Sequence, residues 1–184
     1  MDIMIDLETF STRTHACILI LSAIRFDRKD SIVELNKMDT FYSKICFKSC
    51  VEKNMHVDEK TVQWWKDQPE NIKNEIFSED RETLEIALKR FTEWFKKDKN
   101  FQFNRVWSHG ATFDIPILTE AFARCNMETP WKFWFCRDTR TLFEICNLQV
   151  KDLPSENLHN ALWDCWRQVW GVKKCFNNLN INSK

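Results

Sequence analysis

Only two of the 184 residues are glycine, Gly110 and Gly171. Average usage near 7% would supply roughly 13. Loops that cradle a phosphate with backbone N–H groups need two or three glycines close together. Here the two lie 61 positions apart. A P-loop and a dinucleotide-binding turn are both excluded, and any phosphate must be held by side chains or metal ions.

The remaining composition describes a globular chain. With 43% hydrophobic and 14% aromatic residues, it can bury a core as a single domain. That domain is expected over residues 1–178, with the polar tail 179–184 fraying. No stretch approaches eighteen consecutive apolar residues, and the acids Asp2 and Asp6 stand where a signal peptide needs bases. A cytoplasmic protein with no membrane partner is the expectation. The eight cysteines form no CxxC pair and no zinc spacing, and sit among apolar neighbours. They read as reduced, mostly buried thiols. Net charge is zero but unevenly spread: residues 52–80 hold eight acids against four bases, and residues 167–184 hold four bases and no acid. A basic face can therefore coexist with a neutral total.

Alternating and apolar runs predict strands over Asp2–Glu8, His15–Asp27 and Asp39–Ile45, joined closely enough for an antiparallel meander. The pattern then changes period. Helices are expected from Asp58 to near Pro69, over Leu84–Phe95, over Phe113–Cys125, from Asp138 to Cys146, and from Asn160 to Phe176. Further strands are expected over Phe103–Trp107 and Phe133–Cys136. The order predicts an α/β domain of ribonuclease-H-like fold, with a mixed five- or six-stranded central sheet flanked by helices.

Three segments carry carboxylates in these contexts. Asp6 and Glu8, two apart on a strand, project to one side. Like charges that close require a counter-charge or raised pKa values, and a divalent cation meets that need. Asp114 follows the fourth strand at a helix start, where an acid is favoured in any case. Within a helix, His159 and Asp164 would diverge by about 140°. With Asn160 as the cap, His159 instead precedes the helix and can swing toward Asp164, as a mobile base beside a fixed ligand. Each fragment alone has a plain structural reading, as surface acids or caps. His15 and His56 read as structural.

Taken together, DxE on the first strand, Asp after the fourth, and H-x4-D at the last helix resemble the DEDDh 3′–5′ exonucleases. The stretches Asp2-Ile3-Met4-Ile5-Asp6-Leu7-Glu8-Thr9, Val57–Trp65, Arg137–Leu142 and His159-Asn160-Ala161-Leu162 are similar to a compact phage and bacterial 3′–5′ exonuclease/exoribonuclease group that includes phage exonuclease A. The tyrosine-using subclass is excluded, because the single tyrosine, Tyr42, has no acid four residues on. Two departures stand out: His109 precedes Gly110-Ala111 where the group often has asparagine, and Trp163 occupies a position that is often acidic.

The resemblance implies two Mg²⁺ or Mn²⁺ ions about 3.5–4 Å apart on the scissile phosphate. Asp6 would bridge them, Glu8 and Asp164 would share one, Asp114 would complete the set, and His159 would be the general base. It further implies release of nucleoside monophosphates from single-stranded or overhanging 3′ ends of DNA or RNA, and allows a homodimer. Substrate contacts are expected from Leu7, Thr9, Phe10, Trp64, His109, Phe113 and Arg137. A core role competes for Phe10 and Phe113, and a strand-end cap for His109. A non-catalytic binding module of the same fold would lack at least one acid, and none is missing. The lean glycine and plentiful Asn and Lys fit an AT-rich genome of viral or phage character.

Overall fold

The computed structural model describes residues 1–155 and 160–179. Its centre is one mixed sheet built from β1 (Asp2–Thr9), β2 (Ile18–Phe26), β3 (Asp39–Lys44), β4 (Arg105–Ser108) and β5 (Cys136–Asp138), in the order β3-β2-β1-β4-β5. β1, β2 and β3 form the expected antiparallel meander, while β4 and β5 run parallel to β1 on its other side. This is the ribonuclease-H-like arrangement. β2 is buried at all nine positions, as a strand covered on both faces must be.

Alternation along β1 divides the core. Ile3, Ile5 and Leu7 join one apolar cluster with α4 (Leu84–Phe95) and α5 (Asp114–Arg124). Met4 points the other way, into a cluster with Phe143 of α6 (Thr139–Ile145) and Cys165, Val169 and Val172 of α7 (Ala161–Asn178). Asp6 and Glu8 share the parity of Met4, so they extend toward α7. The N-terminal helices are α1 (Phe47–Glu52), α2 (Glu59–Lys66) and α3 (Glu70–Ile76). Asp58, Asp138 and Asn160 cap α2, α6 and α7 through their side chains, as expected.

One expected strand needs correction, and two helices are unexpected. Phe133–Phe135 is a 3-10 turn rather than strand, and β5 begins only at Cys136. The short helices α1 and α3 had no clear sequence signal. All eight cysteines are free thiols, five of them buried. No helix among the described residues is long and apolar enough to cross a membrane. Of the expected tail, residues 180–184 lie outside the described residues.

Gly171 marks the closest approach of α6 to α7. A Cβ there would sit 2.4 Å from Phe143 Cζ and 3.0 Å from Leu153 Cδ2. Alanine favours a helix over glycine by up to about 1 kcal/mol, whereas overpacking costs about 1–3 kcal/mol. Gly171→Ala is therefore expected to lower the thermal midpoint by a few degrees. A rise in midpoint on thermal unfolding would mean that Phe143 yields without strain.

Candidate active site

The parallel pairing of β1 with β4 covers only Asp2–Met4. Beyond it the two strands part, opening a crevice at their carboxyl ends, where α/β sheets place ligands. The Leu7 N–H, which has no strand partner on that side, donates instead to Asp114 Oδ1 at 3.2 Å. A break in the sheet is thus closed by a carboxylate from the first residue of α5.

Three oxygens, one each from Asp6, Glu8 and Asp164, lie within 4.8 Å of one another. Asp164 reaches them from the first turn of α7. Asn160 Oδ1 accepts the Trp163 N–H at 3.0 Å, and the Asp164 N–H donates to the Asn160 carbonyl at 2.8 Å. Arg167 Nη1 donates to Asp164 Oδ1 at 3.0 Å, and its Nε donates to the Pro154 carbonyl. Gln168 Nε2 donates to Asp6 Oδ1 at 2.9 Å. Arg167 and Gln168 follow Asp164 by three and four positions, on the same helix face. That spacing was the available signal for both, and the sequence reading missed it.

The opposite wall rests on one side chain. Asp138 Oδ2 caps α6 by accepting from the Thr141 N–H (3.0 Å) and hydroxyl (2.6 Å). Its Oδ1 accepts the N–H groups of Gly110 and Ala111, each at 3.1 Å. Gly110 has φ +104°, a conformation that favours glycine. Arg140 lies against it, with Nε 3.3 Å from where a Cβ would stand, and donates to the His109 carbonyl. His109 Nδ1 is 2.8 Å from Thr139 Oγ1.

Electrostatics show how poorly these acids tolerate each other. Burial, then the charges of Asp114 and Asp164, pushes Asp6 well above the usual carboxylate range. Burial, then Asp6, Asp164 and Asp114, does the same to Glu8. Burial raises Asp114 to about 7, against the Leu7 N–H and its own backbone N–H. Burial would raise Asp138 as well, but its bonds to Thr141, Ala111 and Gly110 hold it below the usual range. Burial and the nearby Arg140 lower His109.

A cleft of about 370 Å³ joins Asp6, Leu7, Glu8, His109, Phe113, Asp114 and Asp164 with Arg140, Arg167 and Gln168. Four expected substrate contacts sit elsewhere. Phe10 is 5% exposed in the core, against Phe47 and Phe77. Thr9 is buried, its hydroxyl on the Ser11 carbonyl and its own carbonyl accepting from Trp65 Nε1. Trp64 packs on the buried Trp65 at 4.7 Å, away from the cleft lining. Arg137 Nη1 turns back to the carbonyls of Trp134 and Cys136. His159 lies outside the described residues.

Hard carboxylate oxygens gathered at such proximity fit Mg²⁺ or Mn²⁺, not a soft metal. Gln168 Oε1 supports that fit, being buried beside Asp6 with no partner among the described residues. It would be able to accept from a water held in the site.

A family model described as the 3′–5′ exoribonuclease Rv2179c-like domain matches residues 1–176. Among solved structures, the chain is similar to cell-death related nuclease 4 (CRN-4), with 12% identity and a TM-score of 0.52. That match covers 95% of this chain and 63% of the other, so this chain spans less than two thirds of its length. The likeness is one of fold. A comparison with curated proteins found no match.

Proposed function

This chain belongs to the Rv2179c-like 3′–5′ exoribonuclease domain family, within the DEDDh exonuclease superfamily, and from that premise we propose a divalent-metal-dependent 3′–5′ exonuclease of a single domain. Its substrates are single-stranded or overhanging 3′ ends, and its products are nucleoside monophosphates. The carrying observation is the convergence of Asp6, Glu8 and Asp164 within 4.8 Å, faced across the crevice by Asp114.

Asp6, Glu8 and Asp164 would hold the ions, with Asp114 closing the set. Bound metal supplies Lewis acidity toward the phosphate and lowers the pKa of water. The chain's own residues do the rest. Gln168 fixes the orientation of Asp6, and Arg167 that of Asp164. Phe113 and His109 border the space where the terminal nucleotide enters, and Arg140 places a cation beside it. His159, immediately before the cap Asn160, takes a proton from the attacking water.

The decisive assay supplies Mg²⁺ or Mn²⁺ to the protein with 3′-labelled and 5′-labelled single strands and overhangs of DNA and RNA. Expected are immediate release of 3′ label as mononucleotide, progressive shortening of 5′-labelled strands, and arrest by EDTA. Internal cleavage, or turnover after complete metal removal, overturns the proposal. Because a base must be neutral, the rate is expected to fall below roughly pH 6.5. Burial and the nearby Arg140 hold His109 below the ordinary histidine range, so its own titration lies on the acid side of that limb. The acid limb should therefore disappear in His159→Ala, and its persistence would remove His159 from the role.

A further inference from the structure

The most exposed aromatic side chains stand just before β4 and β5, on the open edge of the sheet. Phe133 is 81% exposed, Phe103 61% and Trp134 56%. Their rings form a contiguous ridge: Phe133 to Trp134 at 5.0 Å, Trp134 to Phe135 at 6.1 Å, and Phe135 to Phe103 at 6.5 Å. Folding gains nothing from leaving such rings in water, and an apolar patch of this kind marks an interaction surface.

The charge around it specifies the partner. The segments that carry the ridge, residues 96–105 and 128–137, hold six bases (Lys96, Lys97, Lys99, Arg105, Lys132, Arg137) against two acids (Asp98, Glu128), with Arg105 facing Asp2, Arg137 the carbonyls of Trp134 and Cys136, and Lys96 the Phe101 ring. We infer that this ridge docks the single-stranded body of the nucleic acid, apart from the cleft that receives its 3′ end; the inference rests on the exonuclease reading above. Bases stack on aromatic faces while cations track the phosphates, a combination that binds single strands without regard to sequence.

Two other occupants fit less well. β5 is three residues long, and Arg137 already occupies the carbonyls of Trp134 and Cys136, so strand addition has little edge to use. A two-fold pairing of two copies would bring like-charged surroundings together.

The ridge and the site are both bordered by the start of α5. Phe133 and Cys136 line a cleft of about 420 Å³ with Ile115 and Pro116, in the first turn of α5. The preceding residue, Asp114, lines the acid cleft. β5 itself spans about 10 Å at roughly 3.3 Å per residue. A single strand stacked at roughly 3.4 Å per nucleotide crosses that length in about three nucleotides, and an extended strand in fewer. A dinucleotide is therefore the short control for the acid cleft, whereas a 12-mer covers both.

The test compares wild type with the Phe133→Ala/Trp134→Ala double variant. Binding of a fluorescently labelled single-stranded 12-mer is measured by anisotropy in EDTA, where no hydrolysis occurs. The variant is expected to bind about 10-fold or more weakly. With metal, its KM for the 12-mer should rise in proportion while kcat, and turnover of a dinucleotide, stay unchanged. Lys132→Glu removes no packing and is expected to weaken 12-mer binding several-fold at low salt; it serves as the test if the double variant fails to fold. Unchanged 12-mer affinity overturns the inference. So does a wild-type dimer, seen by size-exclusion chromatography, that the double variant splits, because the face would then belong to a second copy. If wild type hydrolyses nothing, the exonuclease reading fails, and the EDTA binding comparison still decides the ridge.

Discussion

Asparagine in place of Asp6 is expected to lower hydrolysis by about 10³-fold or more while making the metal-free protein more stable. Both effects have one cause. Asp6 has an oxygen within 4.8 Å of one from each of Glu8 and Asp164, and it keeps that place at the cost of a carboxyl pushed well above its ordinary range. Removing a charge-stabilising group from the centre of a reaction costs on the order of 10²–10³ in rate, and loss of a metal ligand adds to that. Asparagine retains the oxygen that accepts from Gln168 Nε2, so the packing of α7 on β1 is kept. With one negative charge gone from the cluster, the metal-free thermal midpoint near pH 7.5 should rise by several degrees. Activity assays paired with unfolding curves check both halves. A variant that is inactive and also less stable would mean that Asp6 holds the fold rather than the ion.

Metal-free stability is expected to fall as pH rises from about 5 to 8, the reverse of ordinary acid denaturation. Asp6, Glu8 and Asp114 all have folded pKa values above their unfolded ones, with Asp114 at about 7. In this window the folded state keeps protons that the unfolded state has already released. Stability is therefore full below the ordinary carboxylate range and is lost as pH climbs through the folded values. Asp58, Glu85 and Asp138 are lowered, so they contribute their change below this window. His109, also lowered, pulls the other way below the ordinary histidine value. The net loss should be on the order of a few kcal/mol, about 5–10 °C in midpoint for a chain of this size. Saturating Mg²⁺ or Mn²⁺ should restore the midpoint at high pH, because a cation replaces the protons. A flat profile from pH 5 to 8 in EDTA would contradict the clustering of these charges.

The acids were legible because each sits on a regular element whose period is visible in the chain. Asp6 and Glu8 obey the two-residue repeat of β1, and Asn160 announces the start of α7. The same rule misleads at Phe10. Its parity matches Glu8, but a register shift between Glu8 and Thr9 breaks the alternation, and the ring turns into the core. Arg137 fails by the converse: it is one residue from Asp138, and neighbours on a strand face opposite ways. Gln168 shares the helix face of Asp164 by its spacing, but its bond to Asp6 depends on how α7 is rotated against β1, which that spacing alone does not encode. α1 and α3, of six and seven residues, are too short for a periodic signature. Buried Cys50, Ile72 and Ile76 tie them to the core. The aromatic run at Phe133 resembled a strand by propensity, yet its rings found no layer to pack beneath.

Asp138 has a mechanical consequence. One carboxylate clasps both the turn that delivers Asp114 and the start of the helix that carries Arg140. The wall acid and the cleft cation are therefore a single rigid piece, like two teeth of one key. A widening of the crevice that keeps these bonds would move the two together, away from β1, with the Leu7–Asp114 bond as its latch.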